Sequence, residues 1–161
     1  MTEVRRRARG QLPVKAASPE LGSVIVMPNE AVSVAVFGKP APQGSKTPMG
    51  HEDNPRTRPW REMIRKVCED GLPAGWVPLD GPLDLELWFF FDRPPSVSKD
   101  AMPCTRATYD WDKLSRAAGD GLTDGGVLVD DARIVDAVVR KRFVGPGEQA
   151  RMVALVSTHR G

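Results

Sequence analysis

The chain has 161 residues, 40 % of them hydrophobic and 27 % charged, with a net charge of +2 and two cysteines. That length points to one domain large enough to bury a core, and the composition excludes collagen-like, mucin-like and wholly disordered chains. No apolar run approaches the roughly 20 residues of a membrane span, no secretory core follows the N-terminal arginines, and Cys68 and Cys104 show neither a disulfide framework nor metal-ligand spacing, so a reduced, intracellular protein without membrane attachment is expected.

Residues 1–30 read as a basic, flexible arm, with Arg5, Arg6, Arg7 and Arg9 at its start and Pro13, Pro19 and Pro28 along it. A short strand at residues 24–27 is the one regular element expected there. The domain proper, 31–161, opens with a β-branched strand at 31–37 that stops at Gly38. A loop carrying Pro40, Pro42, Lys39 and Lys46 leads to a helix over 58–70, where Trp60, Ile64, Val67 and Cys68 share a face and Gly71 ends the run. Residues 83–91 alternate and then turn fully apolar, as a central buried strand does. A second helix is predicted over 113–123 with Asp112 as its N-cap, weakened by about 1 kcal/mol at each of Gly119 and Gly121. Residues 134–144 and 151–157 read as a closing hairpin around Gly145-Pro146-Gly147. The order β-α-β-α-β-β gives an α+β fold: a mixed sheet of about four strands with two helices on one face.

Charge is unevenly spread. From Asp110 to Asp136 seven acids face three bases, leaving this stretch at −4 and the rest of the chain at +6. An acidic knot in a basic chain suits a metal-dependent enzyme acting on nucleic acid, and equally a solvated acidic loop. Asp110 and Asp112 would point the same way in an extended segment, sending Trp111 into the core, and Asp130-Asp131 could close a site from the other side. Carboxylate oxygens are the ligands Mg²⁺ prefers. The same residues also suit a helix cap and a polar turn. Arg116, four residues after Asp112, is either an i,i+4 ion-pair partner or a fixed charge for a developing phosphorane.

The run Asp110-Trp111-Asp112-Lys113-Leu114-Ser115-Arg116, followed by Asp120-Gly121-Leu122-Thr123 and by Gly126 to Asp136, resembles the signature of RusA-type Holliday-junction resolvases. The resemblance implies a small homodimeric endonuclease of phage or prophage type, working on four-way and other branched DNA in the bacterial cytoplasm with Mg²⁺, for which Mn²⁺ can substitute. It implies that Asp110, Asp112 and Asp131 are the essential metal-binding carboxylates, with Asp130 beside them, and that Arg116 stands where the family has a lysine. Lys113 replaces the usual asparagine, and Gly119 and Gly121 replace helix formers. Lys46, Lys99, Arg106, Lys113, Arg140 and Arg142 are the candidate phosphate contacts, with Lys141 on the opposite face of its strand from Arg140 and Arg142. The rival readings are a branched-DNA-binding protein of the same fold without turnover, and a phage protein whose aspartates only cap and turn.

Overall fold

The computed structural model describes residues 20–44 and 54–161, so Lys46 and the arginines of the arm lie outside the described residues. Five strands and two helices form an α+β domain: β1 (Gly22–Met27), β2 (Ala31–Phe37), α1 (Thr57–Gly71), β3 (Leu83–Phe91), α2 (Trp111–Asp124), β4 (Ile134–Phe143) and β5 (Arg151–Thr158). Short 3₁₀ turns at Arg106–Thr108 and Asp131–Arg133 precede α2 and β4.

The sheet order is β1-β2-β5-β3-β4. The β3–β4 pair is parallel and the other neighbours are antiparallel. The expected mixed sheet is therefore present, with a fifth strand, β1, falling inside the 1–30 stretch. The expected terminal hairpin is not: β4 and β5 do not pair, because β3 lies between them. The connection after β4 instead crosses the end of β3, where Val144 N–H donates to the Phe91 carbonyl. Before β4, Leu128 forms a single parallel bridge with Leu79.

Alternation explains which face is covered. Leu83, Leu85, Leu87, Phe89 and Phe91 of β3 are buried, as are Val32, Val34 and Val36 of β2 and Met152, Ala154 and Val156 of β5. Both helices pack on that face, α1 through Trp60, Ile64, Val67 and Cys68 and α2 through Leu114, Ala117, Ala118 and Leu122. Two glycines let the helices meet closely. A Cβ on Gly121 would stand 2.8 Å from Ile64 Cβ, and one on Gly125 only 2.5 Å from Cys68 Cβ. Gly121, one of the two glycines that weaken α2 by propensity, is thus required by its packing. Among the described residues the opposite face of the sheet carries no helix, and there Glu86, Trp88 and Phe90 of β3 lie beside Val153 and Leu155 of β5, all half-buried.

Candidate active site

The site begins at a strained corner before α2. Thr108 is buried, and its hydroxyl donates to the carbonyls of Pro103 and Thr105, both at 2.9 Å. Tyr109 follows with φ 66° and ψ 168°, a region essentially reserved for glycine and costing a larger residue on the order of 1–3 kcal/mol. Three contacts hold it. Its N–H donates to the Arg106 carbonyl at 3.1 Å, its carbonyl accepts from Lys141 Nζ at 2.6 Å, and its ring lies 5.4 Å from the Lys39 ammonium. Burial of Lys141 lowers its pKa below the ordinary lysine value, with the charge of Asp110 opposing.

Asp110 occupies the N-cap position of α2, and its backbone carbonyl accepts from Leu114 N–H at 3.1 Å. Its carboxylate makes no capping bond and instead sits 3.5 Å from Lys113 Nζ. Asp112 is in the first turn, 3.7 Å from Arg116. Two expectations are corrected here. The cap residue is Asp110 rather than Asp112, and the triplet is not extended, so the two-residue period does not align Asp110 with Asp112. For the same reason Trp111, expected in the core, is 63 % exposed on the first helical turn.

The second acidic pair lies in the 3₁₀ turn before β4, which packs beside α2 further along its axis. Asp130 caps the 3₁₀ turn, accepting from Ala132 N–H at 2.8 Å, so the polar-turn role does apply to it. Asp131 packs against α2 where Gly119 leaves room, a Cβ there being 3.4 Å from Asp131 Oδ2. Burial first, then a shared hydrogen bond with Asp130 and the charges of Asp120 and Asp130, push the Asp131 carboxyl above the ordinary carboxylate range. Gly119 is seven residues after Asp112, on the same helical face and about 10 Å along the axis. Arg116 stands between them on that stripe. Among the described residues, ligand atoms of Asp110, Asp112 and Asp131 do not all fall within 4.8 Å of one another; the trio that does is Asp84, Asp136 and His159, at the start of the β3–β4 pair. There the imidazole already bridges the carboxylates, with Nδ1 2.7 Å from Asp84 and 3.4 Å from Asp136.

A family model described as Endodeoxyribonuclease RusA matches residues 36–151. The chain belongs to the RusA family. The match runs from the end of β2 to the first residue of β5 and spans both acidic pairs, and membership supports a Holliday-junction-resolving endonuclease that binds branched DNA. No curated protein matches the chain.

Within this RusA-family domain the candidate DNA contacts separate into groups. Arg106 and Lys113 line an open groove with Tyr109 and Asp110, joined by Pro42, Gly44 and Asn54. An adjoining groove brings Arg106, Asp110, Trp111 and Asp112 together with Cys104 and Lys141. Lys99 is exposed on the loop after β3. Arg140 and Arg142 lie on the sheet face away from α2. Arg140 stacks 5.0 Å from the Trp88 ring, and Arg142 donates to the Lys141 carbonyl at 2.8 Å. Lys141, part of the basic run Arg140-Lys141-Arg142, faces the helices, as the strand period requires, and so joins the site. Its signal in the sequence was that alternation; Tyr109 carried none, since positive φ is not visible in a tyrosine.

Proposed function

We propose that this protein is a Mg²⁺-dependent, structure-selective endonuclease that resolves Holliday junctions by paired phosphodiester hydrolysis, acting as a homodimer in the cytoplasm of a bacterial host. The family match across the acidic helix α2 carries the reading. The donor set fits the ion. Mg²⁺ is usually held by one or two carboxylates and several waters rather than by a closed protein cage. Asp110 with Asp112, and Asp131 with Asp130, offer such pairs. When bound, Mg²⁺ or Mn²⁺ supplies charge neutralisation at the scissile phosphate and lowers the pKa of water.

The chain's own residues orient and screen. Arg106 and Lys113 at the groove beside Asp110 pair with DNA phosphates, offsetting the repulsion between carboxylates and backbone. Arg116 carries a fixed positive charge between the two acidic pairs, suited to charge developing in the transition state, and cannot act as a base at neutral pH. The uncovered sheet face suits a second copy. It presents Trp88, Phe90, Val153 and Leu155, and the buried Nη1 of Arg140 has no hydrogen-bond partner among the described residues.

The test is a synthetic four-way junction incubated with Mg²⁺. Symmetric paired nicks are expected, and Asp112→Asn should lose cleavage while binding the junction within about threefold of the parent, because binding rests on phosphate contacts. Junction binding with no metal-dependent nick would leave a branched-DNA-binding relative. Neither binding nor nicking would remove the reading.

A further inference from the structure

We propose that Lys141 is a positioning residue for Asp110, fixing through the Tyr109 carbonyl the corner from which that carboxylate leaves α2. The inference rests on the metal-dependent reading above and adds a residue that reading does not use.

Four observations converge. Tyr109 adopts φ 66° and ψ 168°, a conformation that persists in a non-glycine residue only when its surroundings over-determine it. Its carbonyl has one clamp among the described residues, the 2.6 Å bond from Lys141 Nζ, which reaches across 32 positions of sequence. Asp110, next in the chain, is an aspartate at an N-cap that does not cap, so the helix end does not hold its carboxylate. Lys141 is on the helix-facing side of β4, in register with the fully buried Phe89 of the neighbouring strand, so its stem leaves the sheet beside the core. The strand thus sets the start of α2. Without the Lys141 bond the Tyr109 peptide can turn away from its strained state, and Asp110 turns with it.

A lysine merely near a carboxylate predicts the opposite metal response, and this decides the test. Removing a nearby cation lessens repulsion and tightens binding of a divalent ion. Removing a positioning bond loosens it. The experiment measures Mn²⁺ affinity of the DNA-free full chain by calorimetry for the parent, Lys141→Met and Lys141→Arg, together with the thermal midpoint and single-turnover junction cleavage. Lys141→Met should weaken Mn²⁺ binding at least fivefold and slow cleavage at saturating Mg²⁺ at least tenfold, with junction affinity within about threefold. Lys141→Arg, which keeps a cationic donor, should recover both to within about threefold of the parent. Tighter or unchanged Mn²⁺ binding in a folded Lys141→Met overturns the inference. If the methionine variant does not fold, Lys141→Gln replaces it under the same criteria, and an arginine variant as impaired as either also overturns it. A parent chain that neither binds Mn²⁺ nor cleaves fails the metal-dependent reading itself, whereas a parent that does both beside a parental Lys141→Met fails this inference alone.

Discussion

Arg116 has two descriptions that differ by orders of magnitude in consequence. Its 3.7 Å pairing with Asp112 joins side chains that are 53 % and 48 % exposed, and such i,i+4 pairs contribute about 0.3–0.5 kcal/mol. As a transition-state charge stabiliser it would account for a rate factor of roughly 10²–10³, the scale of one oxyanion donor. Arg116→Ala should therefore leave the unfolding midpoint within a degree or two while slowing junction cleavage about 10²-fold, and Arg116→Lys should keep part of the rate. Parental cleavage by the alanine variant would leave only the surface pair. At this scale the sequence was informative about identity and silent about geometry. The spacing of Asp112 and Arg116 implied their pairing, whereas the exposure of Trp111 followed from a helix starting two residues earlier than the cap chemistry of Asp112 suggested. The strain at Tyr109 depends on a lysine 32 residues away and was not legible at all.

The elements show the same division between local and long-range information. Strands β2 and β3 and both helices were legible from periodicity, because each is amphipathic against one core. Pairing of β4 with β5 was a false local inference: a glycine-proline loop between two strands reads as a hairpin, yet β3, apolar on every second position, needs neighbours on both sides. Those neighbours are β5 and β4. The glycines of α2 mark the same limit, and they give a prediction with opposite signs. Gly121→Ala gains about 1 kcal/mol in helix propensity but sets a methyl 2.8 Å from buried Ile64, overpacking that costs typically 1–3 kcal/mol, so its thermal midpoint should fall. Gly119→Ala meets only ordinary contact at 3.4 Å from Asp131, so its midpoint should hold or rise. Thermal denaturation of the two variants distinguishes packing from propensity, and a stabilised Gly121→Ala would contradict the close approach of α1 and α2.

At the end of the sheet a pH dependence follows from register. Asp84 and Asp136 are directly paired across β3 and β4, with Val135 as the extra residue of a bulge, and like charges so placed repel. His159 stands over both. The hydrogen bond to Asp84, then the charges of Asp84 and Asp136, raise its pKa above the ordinary value, against the opposing effect of burial. A histidine pKa raised by folding contributes stability that is full below the unfolded value, about 6.5, and is lost as pH rises through the folded value. Chemical denaturation of the parent and His159→Gln should therefore show a gap that is widest in mild acid and closes as pH rises through the raised value. A gap that widens with pH would contradict the bridge.

For the whole molecule, symmetry links the uncovered sheet face to the chemistry. Resolving a four-way junction takes two nicks related by the junction's two-fold axis, and one chain of this family carries one α2 with its acidic pairs. A C₂ dimer presents two such helices in matching symmetry, and two-fold dimers are the commonest assemblies. The sheet face away from α2, which no described element covers, is the surface the proposed dimer would use. Trp88, Phe90, Val153 and Leu155 are half-buried there, and Ile25 and Val138 are 51 % and 43 % exposed. No element of the described chain covers Trp88 and Phe90. Arg140 stacks on Trp88 and Arg151 on Phe90 there, at 5.0 and 4.0 Å from the ring centroids. Light scattering at micromolar concentration should give twice the monomer mass. Ile25→Lys with Val138→Lys, both at exposed positions, should shift that value to the monomer while the isolated domain unfolds at nearly the parental temperature. The same double variant should nick one strand of a junction and release it before the second cut. Paired, simultaneous nicks from a strict monomer would defeat the dimer and return this face to some other use.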